Sequence, residues 1–279
     1  MIYKKFKEIM LSTLGMGNMR LPIIKTETGT HIDKLKAQQI IDYAMANGIN
    51  YYDTAYMYHN GESEEFLGEA LAKYDRNDYF LATKFNINAN PDYKAVFEEQ
   101  LTKLKTDHVD FYLIHALSDS TMQRYIDEGS VSYFLGQKEK GRIKYLGFST
   151  HASIPTLEKF LNHTQWDFTQ MQLNYFDWLY SHAKQEYEIL EKRNIPVIVM
   201  EPIRGGRLAV LSQKAELELN KAHPDWSMAS WAFRWIKRLS QVKVVLSGMS
   251  DMNQIIENIS TFNDNLSLSD EEESLLFKA

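Results

Sequence analysis

Apolar and polar positions alternate in short blocks along the chain. Brief apolar runs at 14–16, 49–53, 79–84, 109–115, 145–149, 168–172, 196–200 and 242–247 read as strands. Between them lie longer stretches with helical spacing, at 32–47, 63–72, 93–104, 121–140, 154–162, 182–193 and 228–239. Two more, at 253–260 and 270–277, close the chain. In the first helix Leu35, Ile40, Ile41, Ala44 and Met45 recur near the helical period, and Asn47-Gly48 forms the C-cap pair. Gly141 stops the helix at 121–140. Residues 6–14 read as a short hairpin or irregular lead-in. The acids of 270–273 suit a helix start, where the macrodipole favours negative charge.

Short, continuously apolar strands separated by helices belong to a parallel sheet covered on both faces. Eight strand–helix units in about 250 residues predict an α/β fold of the (β/α)8 TIM-barrel class. An open doubly wound sheet is the alternative, but no Gly-x-Gly-x-x-Gly turn follows a strand with an acid about 20 residues on. No Pro-rich spacer, composition shift or acidic tail marks a linker, so residues 1–279 are expected to form one domain.

Composition narrows the partners. The net charge of −6 offers no basic field for nucleic acid. The absence of cysteine removes disulfides, thiolate nucleophiles, Cys-ligated clusters and Cys-based zinc sites. No metal-ligand set is expected. The N-terminus has basic residues without an apolar core, so it is not a secretory signal. No apolar run approaches the roughly 20 residues of a membrane span. A soluble, cytoplasmic protein is expected; its oligomeric state is not legible.

In a parallel barrel, chemistry sits at the C-terminal ends of the strands. Those ends carry Asp53, Lys84, His115, Ser149, Gln170 with Gln172, Met200 and Ser247, and Tyr58 lies on the loop after Asp53. Taken singly, each has an ordinary explanation: a turn-capping aspartate, a rim lysine, a satisfied core histidine, a packing tyrosine. Jointly, a carboxylate, an ammonium, an imidazole and a phenol at successive strand ends fit proton donation by Tyr58. A free phenol is a poor acid at neutral pH, and a nearby ammonium is expected to lower its pKa. Asp53 would keep Lys84 charged, and His115 would bond a substrate oxygen. Protonating an oxygen needs a partner step at the attached carbon. Hydride from a bound nicotinamide would supply it.

Five stretches carry a resemblance over nearly the whole chain: Gly48-Ile-Asn-Tyr-Tyr-Asp-Thr-Ala-x-x-Tyr58, Ala82-Thr-Lys84, Val109-Asp-x-Tyr-Leu-Ile-His115, Gly141-Arg-Ile-Lys-Tyr-Leu-Gly-Phe-Ser149 and Gln254-x-x-Glu257-Asn258. The chain resembles the aldo-keto reductases. That resemblance implies a (β/α)8 barrel reducing a small-molecule aldehyde or ketone with NAD(P)H. It assigns the catalytic tetrad to Asp53, Tyr58, Lys84 and His115, with Tyr58 as general acid. It also assigns Ser149, Thr150 and Gln170 to the nicotinamide carboxamide, Thr150 standing where many members have Asn. Met200 falls where many members stack a tyrosine on the nicotinamide. Pro202, Arg204, Gly205, Gly206 and Arg207 match the loop near the pyrophosphate. Ser247, Gly248, Ser250, Gln254, Glu257 and Asn258 match the segment holding the adenosine end. Ser250 and Gln254 occupy the positions where basic residues would hold a 2′-phosphate, and Asp251 adjoins them, so NADP(H) and NAD(H) both stay open.

Met19-Arg20-Leu21-Pro22 and Gln170-Met-Gln-Leu-Asn174 resemble a bacterial branch whose members often continue into a cysteine-rich, ferredoxin-like tail. This sequence stops near where such a tail would begin. Two other readings remain: a cofactor-binding sensor or regulatory barrel with little turnover, and a phosphate-binding lyase or isomerase. A partly apolar substrate pocket is expected from Met19, Met57, His59, Phe85 and Tyr175.

Overall fold

The computed structural model describes residues 1–27 and 29–279. Eight parallel strands close into a barrel: β1 Leu14–Gly17, β2 Tyr51–Asp53, β3 Phe80–Phe85, β4 Val109–Leu117, β5 Ile143–Thr150, β6 Phe168–Gln172, β7 Val197–Met200 and β8 Val242–Ser247. Each pairs with the next in sequence, and β8 returns to β1 with Val245 opposite Leu14 and Ser247 opposite Met16. Helices cover the outside, as the alternation of the sequence predicts.

Strand parity decides which side chains reach the mouth. Side chains of a strand alternate between its two faces. Tyr51, Ala82, Phe111, Leu113, Tyr145, Phe168 and Ile198 point inward and form one buried cluster. Asp53, Lys84, His115, Ser149, Gln170 and Met200 share their parity, one layer higher. The intervening residues face the helices: Phe85, at 0% exposure, packs on Tyr93, Tyr125 and Phe134. Phe85 therefore belongs to the core, not to the substrate pocket, because it is one residue out of phase with Lys84. Tyr175 is likewise buried in the outer core, while Met19 and Met57 are exposed.

The other end of the barrel is plugged by an antiparallel hairpin, Tyr3–Phe6 with Ile9–Ser12. Its Phe6 ring lies 5.2 Å from Phe111 and 5.0 Å from Tyr145. Asn50 ties the hairpin to β2, accepting from the Ser12 N–H at 2.8 Å and donating to the Met10 carbonyl at 3.0 Å.

The helix at 121–140 is divided into Met122–Asp127 and Ser130–Glu139, because Gly129 takes φ +82° between them. A second hairpin, Ile23–Thr26 with Gly29–Ile32, and the helices Tyr175–Tyr180 and Gln213–Ala222 have weak sequence signatures. Tyr175–Tyr180 is aromatic without a clear period and starts where the Asn174 side chain accepts from the Asp177 N–H. Gln213–Ala222 buries only Ala215 and Leu219. Among the described residues no helix is long and apolar enough to cross a membrane.

One buried carboxyl sits apart from the mouth. Glu186, in helix Ala183–Lys192, is 4% exposed; its Oε1 has no hydrogen-bond partner, the nearest cationic candidate being the half-exposed His182 Nε2 at 3.7 Å. Burial pushes its pKa up to about 8. The folded protein thus holds a proton that the unfolded chain releases above its ordinary carboxyl pKa. Stability from this group is full at low pH and is lost as pH rises toward 8. The substitution Glu186→Gln should therefore flatten this part of the pH dependence. Relative to wild type, the variant should gain on the order of 3 kcal/mol between pH 4.5 and pH 8, measured by urea unfolding at both. Parallel pH profiles for the two proteins would contradict this.

Candidate active site

Lys84, at the inward-facing end of β3, organises the mouth. Its Nζ donates to Asp53 Oδ1 at 2.5 Å, to the Thr54 carbonyl at 2.7 Å and to Tyr58 Oη at 3.3 Å. Lys84 is 0% and Asp53 2% exposed, so the ion pair is wholly desolvated. The Tyr58 ring meets His115 edge-on at 6.0 Å. Asp53, Tyr58, Lys84 and His115 are thus brought into one cluster.

Tyr58 is set there by the backbone that follows it. His59, Asn60 and Gly61 all take positive φ, at 51°, 56° and 92°. These values are natural for Asn-Gly and costly for His, and they fold the chain into a tight arch before helix Glu62–Leu71. The base of the arch is tied where Thr54 Oγ1 meets Ser63 Oγ at 2.8 Å. His115 sits at a bulge where the β4–β5 register shifts between Ile114 and Leu117. Tyr125 donates to the His115 carbonyl at 2.7 Å, and the Ala116 N–H donates to Ser149 Oγ at 2.8 Å.

Burial and charge set the protonation states. Burial opposes the Lys84 ammonium, but Asp53 and Tyr58 outweigh it and raise its pKa. Burial raises Asp53 against the pull of Lys84. Burial also raises Tyr58, with Lys84 offsetting part of the rise. The expected net lowering of the phenol is therefore reversed, because desolvation exceeds the attraction of the ammonium. His115 is pushed down to about 3 by burial and by Lys84 and His151, so it is neutral across the physiological range. Its Nδ1 is buried without a partner.

A groove opens beside this cluster, with a cavity of about 400 Å3 lined by Arg20, Gln172, Glu201, Arg204, Gly205 and Arg207. At the inward-facing strand ends Gln170 Nε2 points to Met200 Sδ at 3.6 Å, and Gln170 Oε1 is buried with no donor. Gly205 and Gly206 take φ +65° and +98°. The Arg20 guanidinium rests on Gly205, where a Cβ would come within 2.9 Å of it. Arg204 lies 4.6 Å over the Phe176 ring and 3.4 Å from Asp177 Oδ1. At the outer end Ser250 Oγ donates to the Arg20 carbonyl at 2.7 Å, and the Ser250 N–H donates to Gln254 Oε1 at 2.8 Å. Asp251 caps helix Met252–Asn263, accepting from the Gln254 N–H at 3.0 Å.

Residues 13–276 match the model of the aldo/keto reductase family. The chain belongs to the aldo/keto reductase family. It is similar to an uncharacterized oxidoreductase, YqkF, of Bacillus subtilis, at 29% identity covering 91% of this chain and 88% of that protein. It is also similar to the NADH-specific methylglyoxal reductase of Escherichia coli, at 24% identity covering 94% and 93%. The holo form of aldo-keto reductase AKR11C1 from Bacillus halodurans superposes with a TM-score of 0.82 at 25% identity, covering 99% of this chain and 95% of that one. As a member of the family, the protein is an NAD(P)H-dependent oxidoreductase with a TIM-barrel fold.

The positions assigned to cofactor by resemblance to the aldo-keto reductases fall into distinct groups. Arg204, Gly205 and Arg207 line the groove, with Pro202 buried beneath its loop and Gly206 in the same turn. Gln170 and Met200 face the barrel interior and contact each other at 3.6 Å. Ser149 faces the barrel interior next to His115. Thr150 faces away from the barrel interior, and its Oγ1 accepts from the Ala152 N–H at 3.1 Å. Ser247 also faces outward, and Asn258 donates to its Oγ at 3.1 Å, so these two tie β8 to the last long helix. Gly248 packs against Arg20, and Glu257 is exposed.

Two side chains around the mouth escape sequence reasoning. Arg20 comes from the loop after β1 and reaches the groove only through the closure of the barrel. Glu64 reads as one more acid of a solvated helix start, yet it is 0% exposed. It accepts from Thr83 Oγ1 at 2.5 Å and from Gln100 Nε2 at 2.6 Å. Gln100 in turn donates to the Lys84 carbonyl at 3.0 Å and accepts from the Tyr112 hydroxyl at 2.6 Å. Only Glu64 has a sequence signal, a triplet of acids, Glu62, Glu64 and Glu65, without a matching polar stripe; Arg20 has none.

Proposed function

We propose that Tyr58 delivers the proton in the reduction of an aldehyde or ketone, with NADH as the preferred reductant. The observation that carries this reading is the contact of one buried ammonium, Lys84, with both Asp53 and Tyr58. A general acid must hold its proton before the reaction and release it readily within it. The raised pKa keeps Tyr58 protonated at rest. Lys84 then stabilises the phenolate that forms, from a position fixed in advance by Asp53 and the Thr54 carbonyl. Neutral His115 donates a hydrogen bond to the substrate oxygen and fixes its approach beside the phenol. Bound nicotinamide would supply the hydride to the carbonyl carbon.

The groove suits that cofactor. Gln170 Oε1, buried and without a donor, fits the amide N–H of a carboxamide. Ser149 Oγ, which already accepts from Ala116, keeps its own proton to donate. Arg20, Arg204 and Arg207 line the cavity where a pyrophosphate would lie, outnumbering its one carboxylate, Glu201, although Arg204 also meets Asp177, and Gly205 and Gly206 let the backbone approach it.

The preference for NADH rests on the outer end of the groove. Ser250 and Gln254 supply no positive charge there, and their polar atoms bond to each other and to the Arg20 carbonyl. Asp251 adds a negative charge fixed as a helix cap. A 2′-phosphate would meet like charge without a cation. Quenching of intrinsic fluorescence should accordingly give a Kd for NADH at least about tenfold below that for NADPH, a difference of ~1.4 kcal/mol. Equal or tighter binding of NADPH would refute the preference, and binding of neither would refute the cofactor site itself.

A further inference from the structure

A second cavity, of about 200 Å3, lies at the opposite end of the barrel from the mouth, its lining partly apolar with Ile2, Val242, Val245 and Phe262. Lys4 reaches it from the N-terminal hairpin, Lys243 from the start of β8, and Lys237 from the last turn of helix Met228–Lys237. Thr13, Asn265 and Ser267 also line it. The charges around it do not balance. Asp264 pairs with Lys237 at 3.2 Å and with Arg234 at 2.7 Å. Among the described residues neither Lys4 nor Lys243 forms an ion pair. Lys4 Nζ donates to the Val242 carbonyl at 2.9 Å and Lys243 Nζ to the Ser240 carbonyl at 3.4 Å. This cationic cluster belongs to a chain whose net charge is −6.

We propose that this cavity is a binding site for a phosphate group, held by the ammoniums of Lys4 and Lys243 in the positive field of Lys237. A cavity of this size exceeds what a tetrahedral oxyanion needs, and the Lys4 and Lys243 ammoniums, each with a single carbonyl acceptor, keep donors for it beside the neighbouring hydroxyl and amide groups. Lys237 Nζ already donates to the Thr261 and Asp264 carbonyls and to Asp264 Oδ1, so it adds charge rather than free donors. Mutual repulsion supports the assignment. Burial, then Lys243 and Lys237, push Lys4 down to about 8. Lys237 is lowered by burial and by Arg234 despite Asp264. An anion placed between them relieves both costs at once. The bound group would also bridge the N-terminal hairpin to β8, so its consequence is stability rather than turnover. Residues at this end of such barrels serve the fold and not the chemistry.

The test is thermal unfolding at pH 7 in rising inorganic phosphate, against sodium chloride at matched ionic strength to remove general screening. The expected result is a saturable rise in midpoint of about 2–4 °C over chloride. Phosphate could also enter the groove at the mouth, so two variants separate the sites. The double variant Lys4→Gln/Lys243→Gln should lose the rise while keeping wild-type carbonyl-reductase activity. The variant Arg204→Ala/Arg207→Ala should keep it. A phosphomonoester, glycerol phosphate, replacing phosphate in the same titration tells a free ion from a carried phosphate group. The proposal is overturned if phosphate acts no differently from chloride. It is equally overturned if the lysine variant retains the full rise, or if the arginine variant abolishes it.

Discussion

Replacing Tyr58 by Phe should lower kcat for carbonyl reduction about 10³-fold and leave the Kd for NADH within twofold of wild type. General acid catalysis by a positioned side chain contributes about 10²–10⁴ in rate, so a loss in the middle of that range corresponds to ~4 kcal/mol of transition-state stabilisation. The substitution removes one oxygen and keeps the ring that packs on His115. Lys84 keeps its bonds to Asp53 and to the Thr54 carbonyl, so the buried ion pair and the fold survive. Cofactor affinity should be spared because Gln170 and the groove residues Arg204 and Gly205 do not bond to the phenol. The decisive comparison is single-turnover reduction of a simple aldehyde with NADH at saturating concentrations. A variant that retains more than about a tenth of wild-type kcat would remove Tyr58 from the role of proton donor.

The architecture behind this result was largely readable in advance, and strand parity explains why. Once the apolar runs are taken as barrel strands, the residues in phase with Tyr51, Ala82, Phe111 and Tyr145 must rise to the mouth. Asp53, Lys84, His115 and Ser149 follow by counting in twos. The same count excludes Phe85 from the pocket. What sequence could not supply was the balance of competing forces. An ammonium beside a phenol argues for a lowered pKa, yet the depth of burial decides the net direction, and depth is a tertiary quantity. Glu64 and Arg20 escaped for a related reason. One is a helix-start acid turned inward, and the other reaches the groove across the seam where β8 meets β1. Short elements such as Tyr175–Tyr180 lack the length over which a period can be recognised.

Lys84→Met should be both inactive and unstable, and the two defects should separate. In the native site Asp53 Oδ1 accepts from Lys84, while Oδ2 is already buried without a partner. Removing the ammonium strands a carboxylate that is 2% exposed, a change that costs about 3–5 kcal/mol when the charge must be kept. The protein can avoid part of that cost by protonating Asp53, whose pKa burial already raises and which would lose the opposing charge of Lys84. A raised carboxyl pKa stabilises the fold below the ordinary carboxyl range and withdraws that stability as pH rises through the shifted value. Lys84→Met should therefore lie closest to wild type near pH 4.5 and fall furthest below it near pH 8. Adding Asp53→Asn removes the buried charge and should recover most of the lost stability at pH 8, with little further gain at pH 4.5. It should recover no catalysis, because the phenolate of Tyr58 would still lack its cation at 3.3 Å. Urea unfolding of wild type, single and double variants at both pH values reads the first part, and aldehyde turnover reads the second. A double variant no more stable than Lys84→Met at pH 8 would mean that Asp53 and Lys84 are not energetically coupled, and the proposed task of Asp53 in holding Lys84 would be lost with it.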